Sequence, residues 1–176
     1  MKTIKKYATM LKLFSILIVI PLMLWIFIRN LKIWIQGNIP KKILLHFPIL
    51  TKRISPMTKT LGVIIDLVPF FIFFLGIYYF IKILDHLKKG NVFTTNTFYI
   101  FKKLTKIALI WVIYHPLSFT LLGLVMTLNN PKGYRYLSVN ISSYDALNIL
   151  LFGLFLIVTS LMHEGLKLKK EQDLTV

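Results

Sequence analysis

Two ionisable side chains lie inside long apolar stretches of this sequence, and they are its strongest candidates for chemistry. Asp66 is the only acidic residue in the 22-residue stretch 60–81, and His115 is the only histidine in the 25-residue stretch 107–131. Carboxylates and imidazoles in apolar surroundings often mark ion or proton pathways. Both also have structural interpretations, since a carboxylate is favoured near a helix N-terminus and a buried histidine can bond a neighbouring helix.

The spacing of Asp66 and His115 argues against a direct pair. If their helices are antiparallel neighbours, Asp66 falls nearer the level of Gly123 than that of His115. Asp66 follows Leu61, the expected start of its helix, by five residues, which span about 7–8 Å. At that depth its carboxylate can reach water or a loop lysine, so the structural and functional interpretations both stay open.

Motifs for catalysis or metal binding are missing from the sequence. His163-Glu164 lacks the second histidine of a zinc-protease motif, and His86 follows Asp85 without a further ligand. The chain has no cysteine, glycine-rich phosphate loop, serine elbow or paired carboxylates. We therefore predict a protein that is not an enzyme, without a catalytic, cofactor-binding or metal site.

Four apolar stretches must position the two ionisable residues. They cover 13–28, 60–81, 107–131 and 146–162, and ionisable residues bound each of them. A bilayer core about 30 Å thick needs roughly 20 apolar residues at 1.5 Å rise each. The sequence therefore predicts an all-α integral membrane protein with four transmembrane helices.

A single membrane domain, residues 1–176, accounts for the chain. Its helices are expected at about 12–35, 61–89, 96–128 and 144–170, with outer loops at 36–60 and 129–143.

Local signals refine these bounds. Gly90 is placed to end the second helix, and Thr94 or Thr95 to cap the next. Residues 96–106 carry an apolar stripe, which predicts an interfacial helix leading into the third span. Residues 134–141 are rich in strand formers and predict a short outer strand. Residues 142–145 form a capping-box sequence at the start of the fourth helix.

The net charge of +16 points to lipid rather than to nucleic acid. Nineteen of the 22 basic residues are lysines, and they cluster around the ends of the apolar stretches. Lysines there attract anionic lipid head groups, so we expect a bilayer with anionic lipids as partner and no direct nucleic-acid binding.

Four membrane helices put both termini on the same side of the membrane. Of the 22 basic residues, 13 then fall on the side of the termini and nine on the other. The positive-inside rule then predicts cytoplasmic N- and C-termini.

Two segments on the predicted cytoplasmic side resemble a known family. One is the elbow 88–96, Lys-Lys-Gly-Asn-Val-Phe-Thr-Thr-Asn. The other is the end of the chain, with Glu-Gly-Leu-Lys-Leu at 164–168 and then Glu-Gln-Asp-Leu-Thr-Val at 171–176. They resemble the bacterial membrane family called domain of unknown function 2975, with its KG-x-VF-x-x-x-N elbow and its E-x-D-L-T-I/V terminus. In this chain the elbow asparagine comes one position earlier than in that pattern.

The resemblance covers most of the chain, from the second helix onward. It implies a four-helix protein of the bacterial cytoplasmic (inner) membrane without an established activity. Members of that family are often encoded beside a small helix-turn-helix regulator. The resemblance therefore implies a regulatory pairing with such a cytosolic protein.

The elbow and the tail are also the candidate interaction surface. Opposite charges at one membrane face attract weakly, and apolar side chains there can add burial. We expect one small cytoplasmic cap formed by Lys89, Gly90, Val92, Phe93, Glu171, Asp173 and Leu174. The alternative is a frayed, solvated tail.

These observations favour a non-enzymatic bacterial membrane protein that senses, regulates or holds a cytosolic partner at the membrane. One alternative is a small transporter or ion-conducting homo-oligomer that uses Asp66 and His115. Another is a protein that gives immunity to an envelope toxin, which rests on size and topology alone.

Overall fold

In the computed structural model, five α-helices lie wholly within the described residues. These residues are 2–36, 38–39, 46–47, 49, 55–90, 92–135, 137, 139 and 141–174. The helices are α1 Lys2–Phe14, α2 Ile20–Ile35, α3 Pro56–Lys88, α4 Thr95–Thr127 and α5 Ser143–Leu174. Through the π-helical turn Ser15–Val19, α1 and α2 form one continuous helix. Within the described residues, four helices are therefore long and apolar enough to cross a membrane, and we call them the four spans. This agrees with the predicted all-α, four-helix fold.

Pro21 explains the π-helical turn in the first span. Proline has no backbone N–H, so the Leu17 carbonyl, four residues earlier, loses its helical partner. Directly before Pro21 the helix widens, and the Ile20 N–H donates to the Ser15 carbonyl.

The first helix begins ten residues before the expected position 12. Its lysine-rich first turns are good helix formers although they are not apolar.

α3 begins five residues earlier than the expected position 61. The Ser55 hydroxyl caps it by accepting from the Thr58 N–H at 3.2 Å, and Pro56 takes the first helical position. The apolar stretch starts only after Lys59. A helix does not need apolar residues in its first turn, which is why hydropathy placed the start too late.

A tight turn at Gly90 joins α3 to α4. Gly90 has a φ of +82°, a left-handed conformation that favours glycine, and its N–H donates to the Leu87 carbonyl at 3.0 Å. Thr94 then caps α4 by accepting from the Thr97 N–H at 3.2 Å. The predicted helix stop at Gly90 and the threonine cap are both confirmed.

The interfacial helix expected at 96–106 is not a separate element. Its residues form the first turns of α4, which continues without a break to Thr127. No glycine or proline occurs within 95–115. Nothing therefore interrupts the helix where the lysines give way to apolar residues, and the prediction of a separate helix was wrong.

The predicted capping box begins α5. The Ser142 backbone N–H and hydroxyl both donate to Asp145 Oδ2, at 2.7 and 2.8 Å. The outer strand predicted at 134–141 is absent from the described residues of that segment, so this prediction was wrong. A strand needs a partner for its backbone groups, and the described part of the chain offers no other strand.

The four spans pack in chain order, each against the next. α1 and α2 contact α3, α3 contacts α4, and α4 contacts α5. Neighbouring helices are antiparallel, so Lys2 and Leu174 lie at the same end as Gly90. We call this end the base, and the opposite end, with the turn at Gly133, the top.

α5 is displaced toward the base relative to α4. Asp145, in its first turn, contacts His115, which lies twelve residues before the end of α4 at Thr127. At the top, α4 therefore extends about 18 Å past the level of Asp145. At the base, Phe93 packs on Gly165, and the last nine residues of α5 continue beyond that contact.

Among the described residues, two apolar clusters join the helices, one near each end. The top cluster contains Trp34, Phe47, Leu122, Val125 and Met126, and the base cluster contains Ile83, Ile100 and Leu104. Phe47 comes from the first loop, and its ring lies 4.8 Å from that of Phe119 in α4. A loop side chain thus fills space between helices at the top.

Candidate functional site

Asp66 is buried and accepts a hydrogen bond from the indole of Trp34. The Trp34 Nε1–H donates to Asp66 Oδ2 at 3.0 Å, and only 1% of Trp34 and 3% of Asp66 is exposed. This charge-assisted bond connects α2 with α3. A carboxylate removed from water needs such donors, because burying it without them carries a large energetic penalty.

Asp66 lies deeper in its helix than the sequence suggested. Since α3 starts at Pro56, Asp66 is ten residues, or about 15 Å, from the helix start instead of 7–8 Å. The field of a helix N-terminus falls off within the first turn. The helix dipole therefore does not stabilise the Asp66 carboxylate at this depth, and the hydrogen bond from Trp34 stabilises it instead.

A second polar contact compensates for a proline in α3. Pro69 has no N–H, so the Ile65 carbonyl, four residues earlier, has no partner within the helix. The Tyr114 hydroxyl of α4 donates to this carbonyl at 3.0 Å. Because an unsatisfied carbonyl in apolar surroundings is costly, Tyr114 makes the proline tolerable at this position.

His115 joins α4 to the start of α5. Its Nδ1 lies 2.6 Å from Asp145 Oδ1, while Asp145 Oδ2 accepts the two bonds from Ser142. One carboxylate thus caps α5 and connects it to α4. The Trp111 ring, one turn earlier in α4, lies 6.1 Å from the imidazole.

A cavity of about 590 Å³ lies between these contacts, and Asp66 and His115 both line it. All four spans and the first loop contribute to its wall, which is mainly apolar. Its aromatic residues are Phe47, Phe70, Phe73, Trp111, Phe119 and Tyr144. An apolar cavity of this size with few polar groups is typical of a small-molecule site.

Asp66 and His115 share this cavity without pairing with one another. Trp34 donates to Asp66, and His115 contacts Asp145 instead. The expectation that the two residues form no direct pair agrees with these contacts. The shared cavity was not predicted.

A protein-family comparison covers nearly the whole chain. The family described as "Protein of unknown function (DUF2975)" matches residues 3–176. The chain belongs to this family. No curated protein and no solved structure matches the chain. The resemblance based on the elbow and the tail is confirmed, and it extends through the first helix.

At the base of this DUF2975 protein, the elbow packs on the side of α5. A Cβ atom at Gly165 would overlap the Phe93 ring, so the absence of a side chain lets the ring lie against the helix. The His163 imidazole stacks on Phe98 with 5.1 Å between ring centroids. These two contacts hold the start of α4 against α5.

As far as the structure describes the tail, through Leu174, the tail does not fold back onto the elbow of the DUF2975 chain. Leu174 is 86% exposed, and Glu171 and Asp173 are also exposed. α5 stays helical past Gly165, which carries Leu174 about 14 Å beyond the contact with Phe93. The expected burial of Leu174 against Phe93 was therefore wrong. Docking of a partner on Lys89, Gly90, Val92, Phe93 or the tail stays a prediction.

Two further contacts join the helices of the DUF2975 protein near the base. Lys12 Nζ in α1 lies 2.6 Å from Asp85 Oδ1 in α3. His86 Nδ1, in the last turn of α3, lies 3.4 Å from the Thr97 hydroxyl of α4. Lys12 and Asp85 are partly exposed, so their ion pair stabilises the fold only weakly.

Sequence reasoning missed Trp34 and Tyr114 as partners at the site, and it identified Asp145 only as a cap. Pro69 is a usable signal, because it predicts an unpaired carbonyl at Ile65. Nothing in the sequence identifies Tyr114 as the donor.

In the part of the chain that the structure describes, no group of three or more His, Cys, Asp or Glu residues is placed to hold a metal ion.

Proposed function

We propose that this protein is a non-enzymatic sensory or regulatory protein of the bacterial cytoplasmic membrane. It spans the membrane four times, with both termini in the cytoplasm and the cavity in the outer half. The cavity detects a small apolar or amphipathic molecule, and the base passes the change to a cytosolic protein.

One observation carries this proposal: the cavity borders a proline in each of the two central helices. Pro69 lines the cavity from α3, and His115, which lines it from α4, directly precedes Pro116. Membrane helices kink at prolines because a backbone hydrogen bond is missing there. A molecule that fills the cavity therefore acts on both kink sites at once.

From the cavity to the base, α3 and α4 continue without a further proline. The base cluster of Ile83, Ile100 and Leu104 packs the two helices together there. A change of angle at the prolines thus moves this paired segment as a unit. The contact of Phe93 with Gly165 carries the movement to α5.

The projecting end of α5 is suited to bind the cytosolic partner. Residues 167–174 extend past the contact with Phe93 and expose Leu168 and Leu174 among charged side chains. A short isolated helix is marginal in water, so a bound partner would stabilise it. The family resemblance favours a small helix-turn-helix regulator as that partner.

Site-specific photo-crosslinking in the native host tests this proposal. A photoreactive amino acid at Leu168 or Leu174 should give one discrete crosslinked cytosolic protein. Val139, which is exposed at the top, is the control position and should not give it. Asp66→Asn should change the crosslinking yield at the base. The proposal would be contradicted if neither Leu168 nor Leu174 gave a discrete crosslinked protein. It would also be contradicted if Asp66→Asn left the crosslinking yield at the base unchanged.

A transporter is the second candidate, because Asp66 and His115 line the same cavity. The apolar base cluster between α3 and α4 argues against it, since apolar packing separates the cavity from the base. Flux measurements on reconstituted vesicles distinguish the two. A transporter predicts an ion or proton flux that Asp66→Asn abolishes, whereas a sensor predicts no flux in either protein.

A further inference from the structure

A second concave site, a groove of about 420 Å³, runs between α4 and α5. α4 rises from the base and α5 descends toward it, so the lining residues can be ordered by height. Lys102, Lys106, Ser160 and His163 line the half nearer the base, and Leu109, Phe152 and Leu156 line the half nearer the top. The groove is therefore amphipathic along its length.

The groove contains two lysines without a carboxylate partner among the described residues. Lys102 and Lys106 are one helical turn apart on the same face of α4. Glu164 also lines the groove, but its carboxylate lies 3.0 Å from the Lys167 ammonium, which balances its charge. The polar half of the groove thus carries a net positive charge.

The other lysine in this part of α4 has a different environment. The Lys103 ammonium lies 5.6 Å from the centroid of the Tyr79 ring, on the side of α3. Lys82 of α3 has a similar position, 5.9 Å from the ring centroid of Tyr78. These two lysines differ from the groove lysines in facing aromatic rings, so they offer a matched comparison.

Hydroxyl groups complete the polar half of the groove. The Thr105 and Thr159 hydroxyls lie 2.7 Å apart and link the two helices along the groove. The Ser160 hydroxyl and the His163 imidazole lie on its wall, where each can donate to an anionic oxygen.

We propose that this groove binds one anionic phospholipid. The phosphate lies against Lys102, Lys106 and Ser160, and an acyl chain follows Leu109, Phe152 and Leu156. Charge complementarity selects the head group, and the apolar half selects a lipid over a free anion. This is a defined site rather than a general attraction of lysines to the membrane, and it does not depend on the proposed sensory function.

Native mass spectrometry of the full chain in neutral detergent, with added palmitoyl-oleoyl phosphatidylglycerol, tests the site. Lys102→Gln with Lys106→Gln should weaken binding of the first lipid by about tenfold or more. The control, Lys82→Gln with Lys103→Gln, removes the same charge from the ring-facing lysines. It should change the affinity by less than about twofold, because surface lysines away from the site contribute little.

Two further arms separate a lipid site from a simple anion site. Leu156→Trp should weaken phosphatidylglycerol binding by filling the apolar half, and circular dichroism and thermal melting check that each variant folds. Inorganic phosphate should not displace the lipid. Three results would each overturn the proposal. The groove and control variants could lose the same lipid affinity, the groove substitutions could leave tight binding unchanged, or inorganic phosphate could displace the lipid.

Discussion

The hydroxyl group of Tyr114 lies 3.0 Å from the carbonyl oxygen of Ile65, the carbonyl that Pro69 deprives of its helical partner. α4 thus supplies the hydrogen-bond donor that α3 lacks, at the level where both helices border the cavity. The proline site in α3 is therefore stabilised by a side chain of α4, and positions 114 and 69 should be energetically coupled.

Tyr114→Phe should lower the free energy of unfolding by about 1–3 kcal/mol, because the Ile65 carbonyl then has no donor. In a Pro69→Ala background the same change should cost much less, since residue 69 now has its own N–H. Unfolding of the four proteins in detergent micelles measures this coupling. Tyr78→Phe, at an exposed tyrosine, is the control. An equal cost of Tyr114→Phe in both backgrounds would rule out the relationship.

Trp34→Phe should also destabilise the protein, by about 2 kcal/mol, because Asp66 loses a hydrogen bond to its charged group. The matched control is Trp25→Phe, since Trp25 is 58% exposed and its ring lies 5.0 Å from the guanidinium carbon of Arg29. Thermal unfolding of both variants in the same detergent gives the comparison. If both substitutions lower stability equally, the bond between Trp34 and Asp66 does not hold α2 on α3.

Local parts of the fold could be predicted because their signals lie within a few residues. Gly90 and Thr94 mark the turn between α3 and α4, and Ser142 with Asp145 spells the cap of α5. The start of α3 lies five residues before the position that hydropathy predicts, because Ser55 and Pro56 start the helix ahead of the apolar stretch. That error of five residues also gave Asp66 the wrong depth.

Gly165→Ala should lower the free energy of unfolding by about 1–3 kcal/mol, because the new methyl group overlaps the Phe93 ring. Phe93→Ala should remove most of this penalty when the two changes are combined. Gly153→Ala is a control in the same helix, where a Cβ meets no atom within 4 Å, and it should be neutral or slightly stabilising. Equal effects of the two alanine substitutions would show that Phe93 does not pack on Gly165.

The expected topology can be checked with reporter fusions. Fusions after Lys89 and after Val176 should be active in the cytoplasm, and a fusion after Gly133 should be active outside. The expectation follows from the larger number of basic residues on the side of the termini. Cytoplasmic activity of the Gly133 fusion would reverse the assignment of base and top to the two membrane faces.

The contacts between helices could not be predicted from the sequence. Trp34 and Asp66 are 32 residues apart, and His115 and Asp145 are 30 apart, so their meeting depends on how the helices rotate and slide. The displacement of α5 brings Asp145 to the level of His115, and no local pattern encodes it. The same displacement explains why Leu174 projects beyond the elbow instead of packing on it.

A distance measurement across the base tests the central claim that the cavity region controls the base. The chain has no cysteine, so nitroxide labels on cysteines introduced at Lys89 and Lys169 allow double electron–electron resonance in liposomes. Asp66→Asn should shift or broaden the distance distribution by about 1–2 Å, the scale of helix shifts in switching proteins. Gly153→Ala, in the same labelled background, should leave it unchanged. Superimposable distributions for the unsubstituted and Asp66→Asn proteins would contradict the account.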